Sequence, residues 1–208
     1  MNVIECNELA KSFGKVAALS NLSLAIEPEK ITGIIGPNGA GKTTFLKIIS
    51  GFIAPSSGEI KVFAENPFNS LLVSANAIYL DDSMPLPAAM PLADILDAAG
   101  AFYPGWDGGL AKRLLAYFEI NPMATYPALS RGKKSTFTSI LGIAARCPLT
   151  MFDEPTTGMD AAVRKDFYRA LLKDYLQHPR TILLSSHLLN EIQDILEDVL
   201  HAWVAGTA

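Results

Sequence analysis

The run from Gly36 to Thr43 has the residue types and spacing of a loop that binds phosphate groups. It reads Gly-Pro-Asn-Gly-Ala-Gly-Lys-Thr and matches the pattern GxxxxGK[ST] in full. Glycines allow backbone N–H groups to curl around phosphate oxygens, and the N-terminus of a following helix adds a positive dipole. Lys42 can reach the β- and γ-phosphates of a nucleotide, and the Thr43 hydroxyl can bind Mg²⁺. A glycine turn that only enters a helix is the less favoured interpretation.

Two adjacent carboxylates are the second candidate for chemistry. The apolar run from Leu149 to Phe152 is typical of a strand, and Asp153 and Glu154 follow it directly. Ligands of open α/β sheets bind at this end of the strands. We expect Asp153 to hold Mg²⁺ or its water, and Glu154 to orient or deprotonate an attacking water. The alternative is a strand that merely ends in a polar turn.

The elements that must position these residues alternate along the chain. Hydrophobic periodicity predicts strands at 22–26, 31–35, 59–63, 77–80, 149–152 and 181–185. It predicts helices at 42–50, 92–101, 109–118, after Ser130, after a cap at Asp160, and at 189–197. Strands alternating with helices predict an α/β core with a parallel sheet. The proline-broken middle of the chain predicts a helical insertion.

Composition narrows the class of protein. Half of the 208 residues are hydrophobic, but no apolar run approaches the roughly 20 residues of a membrane-spanning helix, and no signal peptide is expected. The net charge is −4, without the basic stripe that nucleic-acid binding needs. Cys6 and Cys147 are expected to be buried, reduced thiols, which suits the cytosol.

Charge is unevenly distributed along the chain. Residues 62–111 contain six acidic side chains and no lysine or arginine. This stretch is either a solvated face or a surface that meets a basic partner. If it meets a partner, neutralising Asp94 and Asp97 should weaken that association.

Three further motifs carry a resemblance to a known family. The run from Asp153 to Asp160, Asp-Glu-Pro-Thr-Thr-Gly-Met-Asp, resembles the Walker B motif and D-loop of ABC transporter ATPases. Leu-Ser-Arg-Gly-Lys at 129–133 resembles the family's LSGGQ signature, and Ser-Ser-His at 185–187 resembles its switch-histidine loop. With the phosphate loop upstream, the motifs follow the family's order over residues 2–199. Within that family, the sequence also resembles the bacterial ABC-2-type export ATPases, although more weakly.

The resemblance implies a P-loop NTPase (RecA-like) core with a parallel sheet, an N-terminal antiparallel β subdomain and an inserted α-helical subdomain. The chain would be a single ABC ATPase domain. Its ATP-binding core would comprise residues 1–82 and 148–208, and its helical subdomain, which includes the signature, about 83–147. The short segment after Val199 contains Trp203, which is expected to be exposed.

The resemblance also implies roles for individual residues. Glu154, His187 and Lys42 would be catalytic, and Thr43, Asp153 and Asp82 would bind the metal. The nucleotide-binding residues would be Phe13, Gly36, Pro37, Asn38, Gly39, Ala40, Gly41, Lys42, Thr43 and Thr44 in one subunit, with Ser130 and Gly132 of a second. Asp160, in the D-loop, would belong to the same site and pair across the dimer. Phe13 would stack on adenine, although core packing is an alternative. Asp160 could cap a helix at the same time.

Three positions depart from the family's pattern. Asp82 stands where the family usually has a glutamine that senses Mg²⁺ and couples to the transport domain. Arg131 and Lys133 replace a glycine and the glutamine of the signature. These cations would flank the γ-phosphate bound by a partner subunit or point to solvent.

The expected function is therefore an ATP-hydrolysing subunit that uses ATP and Mg²⁺. By resemblance it would form a head-to-tail dimer, with identical subunits favoured, and would drive a separate membrane permease from the cytoplasmic face of the cell membrane. No nucleic-acid partner is expected. The alternatives are a nucleotide-gated ABC protein with weak hydrolysis, a non-transport ABC ATPase and a P-loop phosphotransferase.

Overall fold

The computed structural model describes residues 2–201, without the side chain of Glu191. The strands are β1 (Ile4–Phe13), β2 (Val16–Ile26), β3 (Ile31–Ile35), β4 (Ser57–Val62), β5 (Ala77–Leu80), β6 (Leu149–Asp153), β7 (Thr181–Ser186) and β8 (Asp198–His201). The helices are α1 (Lys42–Ile49), α2 (Leu71–Asn76), α3 (Leu92–Phe102), α4 (Gly108–Tyr117), α5 (Arg131–Ala145), α6 (Ala161–Gln177) and α7 (Leu189–Ile192). Short 3₁₀ turns span Tyr126–Ala128 and Gln193–Ile195.

A five-stranded parallel sheet forms the centre of the fold, in the order β5-β6-β7-β3-β8. Every residue of β3, β6 and β7 is buried, as expected for strands covered on both faces. The parallel α/β core predicted from the sequence is confirmed. Three apolar runs, at 31–35, 149–152 and 181–185, thereby become neighbours in one sheet.

A second sheet, with the order β2-β1-β4, is antiparallel and precedes most of the helices in the chain. It agrees with the antiparallel β subdomain that the resemblance implies. Strand β1 shifts register against β2 between Cys6 and Leu9, and Glu8 between them adopts a positive φ of 48°. Such a bulge breaks the alternation of inward and outward side chains.

Helix α5 connects the helical region to the parallel sheet. Eleven of its residues are buried, and it packs against α3 and α4 on one side and against β5 and β6 on the other. A Cβ on Gly142 would lie 2.2 Å from Cδ1 of Leu80 and 2.6 Å from Cε1 of Phe152. The predicted boundary near residue 147, between the helical subdomain and the ATP-binding core, would therefore assign α5 to a different subdomain from the sheet on which it packs.

The predicted helix at 189–197 is wrong in its second half. Helix α7 ends at Ile192, a 3₁₀ turn follows, and the chain then extends into β8 beside β3. The backbone N–H of Glu197 donates to the carbonyl of Ile31 at 2.9 Å. A hydrogen bond to β3 thus removes Glu197 from the helix that its local pattern favours. Trp203 lies outside the described residues.

Two smaller expectations are also resolved. Cys6 and Cys147 are buried free thiols, as predicted. Within residues 2–201, none of the helices combines the length and apolar character that crossing a bilayer requires.

Candidate functional site

The candidate residues converge at the carboxyl ends of β3, β6 and β7. The phosphate-loop sequence follows β3, Glu154 follows β6, and His187 follows β7. Because these strands are parallel neighbours in the order β6-β7-β3, residues far apart in the chain meet at one edge.

The loop between β3 and α1 has the conformation of a phosphate cradle. Gly41 adopts a φ of 88° immediately before α1, and a Cβ there would lie 2.4 Å from the carbonyl oxygen of Ala18 in β2. Only glycine fits both the left-handed conformation and this close approach. The loop and the N-terminus of α1 enclose a cavity of about 180 Å³ lined by Ala18, Asn38, Gly39, Ala40, Gly41, Lys42, Thr43, Thr44 and Glu154.

Lys42 folds back into this loop. Its Nζ donates to the carbonyl oxygens of Gly36 at 2.7 Å and Pro37 at 3.2 Å, and lies 3.1 Å from Oε1 of Glu154. The side chain is almost completely buried. A buried ammonium needs such partners, and phosphate oxygens entering the cavity would replace them.

Glu154 joins the loop lysine to the histidine. While Oε1 faces Lys42, Oε2 lies 2.8 Å from Nδ1 of His187. The residue adopts a φ of 49°, which is uncommon for a glutamate. Its backbone N–H donates to Oγ of Ser185 at 2.8 Å, which holds this conformation at the end of β6.

Asp153 is oriented by two hydroxyl groups. Its Oδ1 accepts from Ser185 Oγ at 2.6 Å, and its Oδ2 accepts from the hydroxyl of Tyr79 at 2.9 Å. The Tyr79 oxygen also lies 3.1 Å from Oδ2 of Asp81. Burial, together with the charges of Asp153 and Asp81, raises the pKa of Tyr79 far above its ordinary value, so the hydroxyl remains a donor.

Sequence reasoning did not find this support for Asp153. Tyr79 belongs to β5, and its position opposite Met151 of β6 follows only from strand pairing. The sequence offered one signal: side chains alternate along a strand, so residues 79 and 81 point to the same side of an extended chain.

The donors at this edge fit a magnesium ion. The Thr43 hydroxyl and the Asp153 carboxylate are hard oxygen donors, and Mg²⁺ is usually held by one or two carboxylates together with substrate phosphates. No group of three or more histidine, cysteine or acidic side chains that could hold a metal occurs within residues 2–201.

Asp82 is engaged elsewhere. Its Oδ2 accepts from Nε and Nη2 of Arg131 at 3.0 and 2.9 Å, which pairs two of the positions that depart from the family's pattern. The metal-binding role of Asp82 stays a prediction, and it would require Arg131 to release the carboxylate.

The remaining predicted site residues lie apart from the phosphate cavity. Ser130 caps the N-terminus of α5, and a Cβ on Gly132 would lie 2.3 Å from the carbonyl oxygen of Gly158. Asp160 caps α6 by accepting from the N–H groups of Ala162 and Val163 at 3.0 and 2.9 Å. The start of α5 therefore sits on the loop that follows Glu154.

Phe13 is at the tip of the hairpin formed by β1 and β2. Its side chain is 52% exposed, and Nζ of Lys11 lies 5.2 Å from the ring centroid. This exposure makes core packing the wrong alternative. The same hairpin contributes Ala18 to the phosphate cavity, so adenine stacking by Phe13 remains open as a prediction.

Comparison with known proteins gives a consistent result. A profile for the family described as ABC transporter matches residues 19–157, which is more than half of the chain. The chain is 32% identical over 191 residues to the ABC transporter ATP-binding protein YtrB of Bacillus subtilis (strain 168), covering 92% of this chain and 65% of that protein. It is 28% identical over 197 residues to the Nod factor export ATP-binding protein I of Paraburkholderia xenovorans (strain LB400), covering 91% of this chain and 64% of that protein.

Coverage of these relatives is incomplete, whereas similarity to solved cassettes extends over nearly the whole fold. The chain spans just under two thirds of the length of both relatives. It superposes on an ATP-binding subunit of an ABC transporter with a TM-score of 0.82 at 21% identity, covering 97% of this chain and 86% of that one. A dimeric ATP-binding cassette bound to ADP and Pi gives a TM-score of 0.82 at 19% identity, with coverages of 96% and 94%.

Proposed function

Because this chain belongs to the ABC transporter family, we propose that it is the ATP-binding and ATP-hydrolysing subunit of a transporter. The observation that carries the proposal is the position of Glu154, whose carboxylate spans Lys42 of the phosphate loop and His187 after β7. A carboxylate placed between a phosphate-binding lysine and a histidine is suited to activate water beside a terminal phosphate.

Nucleotide binding begins with the transfer of Lys42 from protein to phosphate. The β- and γ-phosphates take the place of the Gly36 and Pro37 carbonyl groups around Nζ, while N–H groups of the loop and of α1 bind the remaining oxygens. Thr43 and Asp153 would hold Mg²⁺, which neutralises charge on the phosphates. The cavity of about 180 Å³ is below the roughly 300–1,000 Å³ of pockets that enclose a small molecule. It therefore admits the phosphates and leaves the base near the hairpin that carries Phe13.

Departure of Lys42 also changes the environment of Glu154. Without its cationic neighbour, Oε1 becomes available to accept a proton from water, while Oε2 stays within hydrogen-bond distance of His187. His187 is about half exposed and can turn toward the γ-phosphate. The pair would thus orient the attacking water and contact the γ-phosphate that the water attacks, with ADP as the leaving group.

The signature residues require a second subunit. Ser130 and Gly132 lie at the start of α5, outside the phosphate cavity of their own chain, so they would complete the site of a partner in a head-to-tail dimer. Asp160 lies on the same surface, after the loop on which Gly132 packs. A homodimer is the simplest assembly that places identical residues at both sites.

An apolar groove supports a membrane permease as the further partner. Its volume is about 350 Å³, and it is lined by Ile78, Met84, Leu86, Pro87, Met90, Ile95, Ala98, Ala99, Phe102, Tyr103 and Leu141. Phe102 is 76% exposed at its rim. A cytoplasmic helix of a permease would fill this groove, which would place the subunit at the inner face of the membrane.

The acidic stretch contributes less to this docking than its sequence suggests. Asp82 pairs with Arg131, Asp97 with Lys112, and Asp107 with Arg146, all through cations from outside the stretch. Apolar contact in the groove, rather than attraction of a basic loop, is therefore the main docking interaction that we propose.

Steady-state ATP hydrolysis tests the proposal. Glu154→Gln keeps the size of the side chain but removes the base, so turnover should fall by about a hundred-fold or more while ATP binding persists. Glu59→Gln, at an exposed position of β4, is the matched control and should hydrolyse ATP as the wild type does. Equal turnover in the wild type and Glu154→Gln would contradict the assignment of Glu154.

A weakly hydrolysing, nucleotide-gated subunit is the second candidate. The ion pair between Asp82 and Arg131, at two altered motif positions, favours it. The same assay separates the two: this candidate predicts slow turnover in the wild type, even with its permease, despite ATP-dependent dimerisation.

A further inference from the structure

Asp82 and Arg131 connect two elements that lie far apart in the chain. Asp82 is in the loop after β5, and Arg131 is the first residue of α5. Both contacts of the guanidinium reach the same carboxylate oxygen, at 3.0 and 2.9 Å. The loop beside the apolar groove is therefore tied to the signature residues of the same subunit.

The backbone at Arg131 is fixed, whereas its guanidinium is accessible. Ser135 Oγ donates to the carbonyl of Thr157 at 2.7 Å, and Gly132 has no room for a Cβ against Gly158. These contacts hold the start of α5 on the loop after Glu154. The Arg131 side chain is nevertheless 69% exposed. Rotation of the side chain alone can therefore give the guanidinium a different partner.

The charges around this turn make the ion pair easy to replace. Arg131, Lys133 and Lys134 all lie in the first turn of α5, where the helix dipole disfavours cations. An ion pair this exposed contributes little to stability. A terminal phosphate carries more negative charge than a carboxylate and can accept from a guanidinium through two oxygens. Such a phosphate would take Arg131 from Asp82.

We propose that Asp82 and Arg131 form an exchangeable ion pair, in which the terminal phosphate of the nucleotide on a second subunit replaces Asp82 as the partner of Arg131. This inference rests on the proposed head-to-tail dimer, which brings the start of α5 to that phosphate. Asp82 is then the competitor of the nucleotide. It sets how much ATP is needed to close the dimer, and it acts through Arg131 as a positioning residue.

The exchange also affects the proposed permease site. The loop that carries Asp82 continues into Met84 and Leu86, which line the apolar groove. Once Arg131 leaves, the hydrogen bond that still joins Asp82 to the segment before α5, among the residues that the structure describes, is a long one of 3.5 Å from the Tyr126 hydroxyl to the Asp82 carbonyl oxygen. Nucleotide on one subunit would thereby release one end of this loop on the other, while its far end stays bound through the N–H of Leu92 to the carbonyl of Ala124 at 2.9 Å.

ATP-driven dimerisation of the full chain tests the exchange. The assay uses a Glu154→Gln background, where hydrolysis is blocked, and follows dimer formation by sedimentation velocity over an ATP titration. Asp82→Asn removes the competing charge at constant size, so the dimer should form at about three- to five-fold lower ATP concentration. Arg131→Gln should require at least about five-fold more ATP. The double variant should match Arg131→Gln, since Asp82 acts only through Arg131.

Two controls separate the exchange from other roles. Asp94→Asn makes the same charge change at an exposed position of α3 and should leave the titration unchanged. Binding of Mg-ATP to the monomeric subunit should be equal in all variants, because the pair acts across the dimer. If Asp82→Asn needs as much ATP as its parent, or more, the exchange is wrong. That result is expected if Asp82 serves as a structural contact or as a metal ligand, because its loss would then not favour the dimer. If no variant dimerises although each binds ATP, the proposed dimer is wrong and the exchange with it.

Discussion

The hydroxyl of Tyr79 lies 2.9 Å from Oδ2 of Asp153, so β5 holds the carboxylate at the end of the neighbouring strand β6. The hydroxyl oxygen of Tyr79 is also 3.1 Å from Oδ2 of Asp81, but a phenol has one proton and can donate it to one of the two carboxylates at a time. Ser185 holds the other oxygen of Asp153 at 2.6 Å. Both carboxylate oxygens are thus oriented before any metal arrives.

Removing this hydroxyl should weaken magnesium binding more than nucleotide binding. Tyr79→Phe leaves the ring in place but frees Oδ2 of Asp153, and loss of a group that orients a metal ligand typically lowers metal affinity by about ten-fold or more. The Mg²⁺ concentration for half-maximal ATP hydrolysis should rise accordingly. Tyr117→Phe, on the exposed face of α4, is the matched control. An unchanged Mg²⁺ titration would show that Ser185 alone orients Asp153.

Two substitutions of Asp160 should distinguish its role as a helix cap from a role of its charge in the dimer. Asp160→Ala removes the cap of α6, which accepts from Ala162 and Val163, and should lower the free energy of unfolding by about 1 kcal/mol. Asp160→Asn keeps a capping oxygen and should preserve stability. Urea unfolding measures both effects. If Asp160→Asn nevertheless slows ATP turnover, its charge acts in the dimer; if turnover and stability change together in both variants, capping accounts for the residue.

Gly142 should be intolerant of a single added methyl group. Its Cβ would meet Leu80 and Phe152 within 2.6 Å, where a rigid helix lies against the sheet. Overpacking of this kind costs about 1–3 kcal/mol, so Gly142→Ala should lower the free energy of unfolding by that amount. Gly109→Ala in α4, where the nearest atoms are the ends of the Arg113 and Asp107 side chains, should not lower it, because alanine favours a helix more than glycine does. Equal stability of the two variants would contradict the close packing of α5.

Stability should fall at alkaline pH because of the buried thiols. Burial raises the pKa of Cys6 and of Cys147 from 9.0 to about 12. Between these values the unfolded chain loses protons that the folded chain retains, so stability is full below pH 9 and declines above it. Each thiol should contribute a loss of about 1 kcal/mol between pH 9 and pH 10.

Unfolding in urea at pH 8, 9 and 10 measures this decline. Cys147→Ala removes one titrating group and should reduce the decline between pH 9 and pH 10 by about half of the combined thiol contribution. An equally steep decline in that variant would mean that other groups, such as Tyr126 and Tyr168, are responsible. Burial also raises the pKa of each of these to about 12.

Local sequence patterns were sufficient where one segment determines its own structure. The apolar run ending in Gly36 predicts β3 with its observed bounds, and residues 77–80 form β5 as expected. The glycine pattern and the paired acids needed no distant partner to be recognised. Strand β1 is different: the bulge at Glu8 breaks the alternation on which its prediction would depend.

Contacts between distant segments could not be predicted in this way. The hydrogen bond of Tyr79 to Asp153 depends on the register of β5 against β6, and the pairing of Asp82 with Arg131 on the position of α5. The hydrophobic spacing of residues 193–197 predicts a helix. Instead, Gln193–Ile195 form a 3₁₀ turn, and the hydrogen bond from Glu197 to Ile31 leads the chain into β8 beside β3.

The positive φ of Glu154 places two demands on one residue. Its backbone conformation suits glycine or asparagine, whereas its side chain must reach both Lys42 and His187. Selection of variants at this position for thermal stability would favour the small residues, and selection for turnover would favour only glutamate. The difference in melting temperature between the variant selected for stability and the one selected for turnover would measure how much thermal stability the protein loses by keeping a catalytic glutamate at this position.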